Sequence, residues 1–492
     1  MKKFDIIIIG AGISGLLSAL ALSKHGKKVL IIEKNSQVGG NCNSYTIDGF
    51  QVDTGVHAIT NLYVGPLKRL MDNYFDYTPY FVEHGPYFVR TEDKFLKTPS
   101  NLSDFASFDV LPKKDRLAIT KAITKAITLF IMGKDVSKQS VYDFLPKSLS
   151  KDSYEFIDTF SYFLSGKSMK KTSAHRILTG SSFIRDSITQ KQFEELISME
   201  KTPQTTSIFQ SILPPSIQDH IPSIAENHFQ KVQNKLKNSP NLLTSIKRLI
   251  LNNSSESQGY PRKGLKGLLN SLLYSLPKTV EIKTGLEVKQ IITENGVAVG
   301  VEADELYYAD TILHTGFAKD LPLLIDDISA SYKQQLSGIE MAKSLTIWTG
   351  LEQPIDYFDY LGSEVWFKEH PYWSMPISNY DSSLAPTGKQ LIGFTFIMNE
   401  NISVKEKIKK SYETIFTIHP EIEKYLEMKH EQITIPEKAS VTIDGHFADI
   451  RSPIENLYIA GTDTDKRSMG ITRASHSVIE FLTILNQDGK LH

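Results

Sequence analysis

The hydrophobic pattern changes period several times along the chain. Asp5-Ile-Ile-Ile-Ile9 is β-branched and apolar without alternation, which predicts a buried strand; Leu16 to Lys24, beyond a glycine turn, predicts a helix. Lys28 to Ile32 predicts a second strand. Ser44 to Val52 predicts a hairpin turning at Asp48-Gly49, and Tyr87 to Lys97 another. Within 113–134, Ile119, Ala122, Ile123, Ala126, Ile127 and Phe130 share one helical face, Lys114, Lys121 and Lys125 share the opposite one, and Gly133 is the expected stop. Phe156 to Gly166 and Ala174 to Gly180 predict core helices, while Ile184 to Ser257 is more polar. Strands return from Val280, with a hairpin around Glu294-Asn-Gly296, and again at Tyr307 to His314, Ser344 to Gly350 and Gln390 to Met398. Lys405 to Lys429 predicts a surface helix pair, and the chain closes on a strand, a glycine turn carrying an acid, a second glycine and a helix.

The first turn carries chemistry. In Gly10-Ala-Gly12-Ile-Ser-Gly15, the first glycine makes the turn, the second lets backbone approach a pyrophosphate, and the third lets the helix lie close on the strand. The helix N-terminus then offers free N–H groups and a positive dipole end to phosphate. Glu33, ending the second strand, can accept from a ribose hydroxyl and repels a 2′-phosphate, which favours FAD or NAD over NADP. A secretory signal would also begin Met1-Lys2-Lys3 before an apolar run, but no small-residue cleavage site follows.

Composition adds bounds. At 492 residues the chain can bury a large core and is expected to form two or three domains. Lys plus Arg number 55 against 56 Asp plus Glu, so no global charge argues for nucleic acid. The single cysteine, Cys42, excludes an internal disulfide and a cysteine-rich metal site and points to a reduced, cytoplasmic chain. No uninterrupted apolar run reaches the roughly eighteen residues of a spanning helix, so any membrane contact is expected to be peripheral, through the basic amphipathic stretch 113–134.

The spacing from G-x-G-x-x-G through Glu33-Lys34 and Val38-Gly39-Gly40 to Phe50-x-x-Asp53-x-Gly55-x-His57 resembles the FAD-dependent phytoene desaturases, carotenoid isomerases and retinol saturases, within the wider amine oxidase and protoporphyrinogen oxidase superfamily. The resemblance implies an α/β chain: a discontinuous Rossmann-like FAD-binding domain, a mixed-sheet substrate domain and a helical insertion. The FAD domain is expected in 1–112, 259–338 and 441–492, the insertion in 113–258 and the substrate sheet in 339–440. It implies FAD contacts at Gly10, Gly12, Ile13, Ser14, Gly15, Glu33, Lys34, Gly39, Gly40 and Asn41, then at Val288, Gly461, Asp463, Gly470 and Ile471. There are departures. Asn41 stands where relatives carry Arg, Lys263 where the Tyr260-Pro segment has a glycine, Asp463 one place late after Thr462, and Met469 within a normally glycine-rich run.

Flavin N5 exchanges hydride, so desaturation, saturation and isomerisation of an apolar polyene or prenyl-type small molecule all fit. His57 and Arg473 are the candidate catalytic residues, and no metal is expected. Two other readings are an amine or porphyrinogen oxidase, with Tyr372-Trp373 as its aromatic pair, and a non-enzymatic flavin-binding lipid carrier. The aromatics from Tyr357 to Trp373 suit an apolar cavity or a sheet core equally. The oligomeric state has no signature in the sequence.

Overall fold

The computed structural model describes residues 3–55, 57–99, 102–131, 134–174, 176, 190–197, 258–398 and 402–492. Two seven-stranded sheets organise them. At the centre of the first, Lys3–Ile9 runs parallel between Val29–Glu33 and Leu306–His314. Val280–Thr284 extends one side and Leu457–Ile459 the other, both parallel, and the antiparallel Gln290–Glu294 and Val297–Glu302 finish an edge. The unalternating isoleucines now have their reason. Ile6 and Ile8 enter the core under the helices Ile13–Lys24 and Gly470–Gln487, while Ile7 and Ile9 enter the core on the other face.

The second sheet runs in the order Leu426–Glu437, Ala342–Leu351, Gln390–Ile397, Tyr372–Met375, Ser363–Trp366, Tyr87–Arg90, Phe95–Lys97. It is antiparallel except between Ser363–Trp366 and Tyr87–Arg90, which makes it mixed. The Ser44–Ile47 and Phe50–Asp53 hairpin turns through Asp48 at φ 48° and Gly49 at φ 85°, the paired left-handed residues of a type I′ turn.

Two expectations need correcting. The first helix begins at Ile13 rather than Leu16, because extended Gly12 caps it directly. The surface helix pair ends early: after Val404–Ile418 and Pro420–Lys424 the chain enters a twelve-residue edge strand that contains Lys429. Its inward positions include Met428 and Gln432 with charged residues between them, an edge-strand pattern that hides hydrophobic alternation. The amphipathic stretch forms the helix Lys113–Ile131, whose Ile119 and Ala122 pack into a core with Val89, Leu111, Val141 and Phe367, while Ala126 is buried. Lys114, Leu117, Lys121 and Lys125 face outward. Among the described residues no helix is long and apolar enough to cross a membrane. The expectations for the side chains of Ile127 and Phe130, for Gly133, for 177–180 and for most of 184–257 fall outside the described residues.

Candidate functional site

The first βα turn forms an open cradle. Gly10, at φ 103°, donates its N–H to the Ile32 carbonyl at 2.8 Å. A Cβ on Gly15 would lie 2.2 Å from the Gly10 carbonyl and 2.9 Å from Thr315 Oγ1, so the helix sits on the turn only because the residue is glycine. Gly12 has no atom within 4 Å of where its Cβ would project, and the helix that starts at Ile13 and Ser14 has no side-chain cap. Its first N–H groups are therefore available to an anion. Gly39 donates to the Ala11 carbonyl at 2.7 Å, and Gly40 lies beside Gly12. Buried Glu33 accepts from Ala11 N–H at 2.7 Å through one oxygen and from Asn35 through the other, with lone pairs remaining on both. Lys34 is exposed. Leu286 N–H bonds the Glu33 carbonyl at 3.0 Å, which lays the stretch leading to Val288 alongside this strand end; the Val288 side chain itself is buried in the core. Asn41 donates to the Ile435 carbonyl at 2.7 Å, so its side chain ties the glycine loop to the second sheet.

Two motifs far apart in sequence form one hydrogen-bonded unit. Asp53 is fully buried at the N-terminus of helix Leu265–Ser275. It accepts from Ser44 Oγ at 2.6 Å, Leu265 N–H at 3.1 Å and the Tyr260 hydroxyl at 2.5 Å. Burial raises its carboxyl to about 6 against the pull of these donors. The Lys263 departure is met by a left-handed backbone, φ 63°, ahead of Gly264 at φ 68°.

The closing segment is tied down by residues the sequence singled out, Asp463 and Arg473, and by three it did not, Thr315, Glu437 and Lys438. Asp463 is buried, accepts Ala318 N–H at 2.7 Å through one oxygen and leaves the other without a hydrogen-bond partner among the described residues. A Cβ on Gly461 would meet that free oxygen at 2.7 Å. Lys438 Nζ bonds the carbonyls of Thr315 and Gly316, each at 2.6 Å. Gly470 is left-handed with open space around its Cβ position, and its N–H donates to the Glu437 carboxylate at 2.6 Å. Arg473, a candidate catalytic residue, is a buried clamp. Its guanidinium holds the Ser468 and Ala439 carbonyls and pairs with Glu437 at 2.8 Å. His476 is buried within the closing helix, where burial and neighbouring arginines hold its ring well below the usual range. Glu437 ends a strand, and Lys438 and Thr315 each directly follow one; a polar residue at a strand end is a signal too common to single them out.

One cavity, about 1020 Å³ counting its mouth, lies between the two sheets' contributions. Gly55, His57 and Ile59 line one side with Met469 to Thr472 at the start of the closing helix; Thr346, Trp373 and Phe396 line another; Tyr162 to Gly166 form a third. His57 Nε2 donates to the Thr54 carbonyl at 2.8 Å, which fixes the proton on that nitrogen and leaves Nδ1 an acceptor. Burial lowers the ring's pKa, so it is neutral at pH 7. Of the Tyr372-Trp373 pair, only Trp373 lines the cavity. Tyr372 points to the opposite face, into a core with Phe394 and the buried Glu364, whose carboxylate it meets at 2.7 Å. Most of the aromatic section likewise builds that core. Among the described residues no cluster of His, Cys, Asp and Glu could hold a metal.

Comparison with known proteins bears on the fold. Residues 8–74 match the model of an NAD(P)-binding Rossmann-like domain. Over 70 residues the chain is 40% identical to all-trans-retinol 13,14-reductase of Rattus norvegicus; the match covers 14% of this chain and 12% of that protein. An oxidoreductase from Methanosarcina mazei superposes with a TM-score of 0.70 at 19% identity, over 98% of this chain and 100% of the other. Putrescine oxidase superposes with a TM-score of 0.66 at 14% identity, over 99% of each chain. These likenesses show a shared fold, a mixed α/β architecture with a Rossmann-like domain. The chain belongs to the same family as an uncharacterized protein of the nifH2 3′ region in Methanothermococcus thermolithotrophicus, which is 55% identical over 100 residues, 20% of this chain and 96% of that protein.

Proposed function

We propose that the chain is an FAD-dependent oxidoreductase acting on an apolar polyene or prenyl-type substrate. The observation that carries this reading is the cavity. It has mostly apolar walls and meets both the Asp53 motif segment and the start of the closing helix. The residues present fit a dinucleotide: an uncapped helix N-terminus, an open Gly12 and a buried carboxylate at Glu33 with lone pairs to spare. Ile13 and Ser14 N–H groups would hold the pyrophosphate, Glu33 the ribose, and the Gly461–Asp463 turn with Gly470 and Ile471 the remainder. A bound flavin supplies hydride exchange at N5.

The chain's own part is to place an apolar chain against Trp373, Phe396 and Ile471 and to keep water from it. His57, neutral with Nδ1 open, is the cavity's proton acceptor. Arg473 and Glu437 position the closing helix.

The test is the absorption spectrum of the purified protein together with the identity of lipid extracted from it. The expected result is a flavin spectrum bleached by a reductant, with a polyene or prenyl chain in the extract. Protein purified without flavin, or with only small amines or porphyrins, overturns the reading.

A further inference from the structure

Lys407 is an anomaly on helix Val404–Ile418, where it shares the buried face with Ser411 and Ile415. Lys409 and Lys410 pair with Glu413 and Glu406 on the same helix, but Lys407 is 3% exposed and meets no acidic or hydrogen-bonding side chain among the described residues. Its ammonium stands 5.5 Å from the centroid of Phe396, a residue that lines the cavity. An unpaired buried cation is expensive unless something balances it. Burial lowers this one to about 8, which still leaves it charged at neutral pH.

Lys407 lines a groove of about 680 Å³ counting its mouth, together with His370, whose ring senses the Lys407 charge. Tyr162 and Ile397 line both this groove and the cavity, so the two spaces adjoin. The groove's acids do not neutralise Lys407. The Glu369 side chain is 91% exposed, Glu155 pairs with Lys151 at 3.5 Å, and Asp158 accepts Met169 N–H at 2.7 Å.

We infer that this groove receives the anionic head group, a carboxylate or a phosphate, of an amphiphile whose apolar tail occupies the cavity. The inference rests on the apolar-substrate reading above and narrows its substrate class. Head group and ammonium would form a charge-assisted contact out of bulk water, where such contacts are strongest.

Trp373 in the cavity wall gives the readout. Binding of dodecanol, dodecanoate and dodecyl phosphate to the full-length protein is followed by tryptophan fluorescence at low ionic strength. Both anions should bind about tenfold or more tighter than dodecanol. Lys407→Met should abolish that preference without weakening dodecanol, and Lys407→Arg should keep it. Lys407→Met removes an unpaired buried charge, so it is expected to melt no lower than the parent. A preference for only one anion supports the inference and names the head group. If dodecanol binds as tightly as both anions, or Lys407→Met keeps the preference, the head-group site is overturned and the apolar cavity stands. If none of the three binds, both readings fall.

Discussion

The Tyr260 hydroxyl donates to the Asp53 carboxylate at 2.5 Å, and through that bond the two separated pieces of the dinucleotide domain close on each other. The same carboxylate caps helix Leu265–Ser275, so removing the hydroxyl weakens both a cap and a seam. Tyr260→Phe is expected to lower unfolding free energy by about 2 kcal/mol at pH 8, where the acceptor is ionised, and by less near pH 4. Urea denaturation at the two pH values measures this. An equal loss at both would mean that the acceptor's charge is irrelevant.

Asp53 and the buried histidines push stability in opposite directions. Burial raises Asp53 from 3.8 to about 6, so between these values the folded state holds a proton the unfolded chain has lost, and stability falls as pH rises through that window. Burial lowers His84 and His314 from 6.5 to about 4, so their contribution is complete above 6.5 and is lost as pH falls toward 4. His314→Gln is expected to flatten the acid limb of a melting-temperature profile, recovering up to about 3 kcal/mol near pH 4. An unchanged acid limb would remove His314 from the account.

Gly12 and Gly15 should fail differently. Gly15→Ala drives a methyl into the Gly10 carbonyl and is expected to destabilise the fold by about 3 kcal/mol or more. Gly12→Ala places its methyl in open space in the cradle, so melting of the flavin-free protein should hold while flavin occupancy drops. Paired calorimetry and flavin absorbance separate the two, and equal melting losses would contradict the cradle.

Arg473→Met is expected to act on stability. It leaves the buried Glu437 without its ion partner, which costs about 3–5 kcal/mol. The double variant with Glu437→Gln should recover part of that loss in thermal melts, since it removes the stranded charge. No recovery would show that the carbonyl contacts of Arg473, rather than the pair, carry the effect.

Local chemistry was legible where one residue type has one physical use. The glycines of the first turn, the apolar Ile6 to Ile9 and the Asp48-Gly49 turn could be read because sterics and burial allow little else there. Side-chain destinations were not legible. Tyr372 and Trp373 are adjacent, and strand geometry sends one to a core and the other to the cavity; which goes where depends on register with Gln390–Ile397. Lys407 looks like any helix lysine until its neighbours are known, and the strand Leu426–Glu437 is concealed by the charges an edge carries. Arg473 fits a cofactor contact in sequence; only the fold shows its donors already engaged.

The first sheet's strand order also bears on biosynthesis. Lys3 pairs with Tyr308 across the central strand junction, and Ile312 pairs with Leu457 beyond it. On a ribosome adding roughly 5–20 residues per second, the first strand emerges with one edge open and waits tens of seconds for its partner. The nascent chain thus exposes an apolar, β-branched strand throughout that interval, and its protection falls to whatever first covers Ile6 to Ile9.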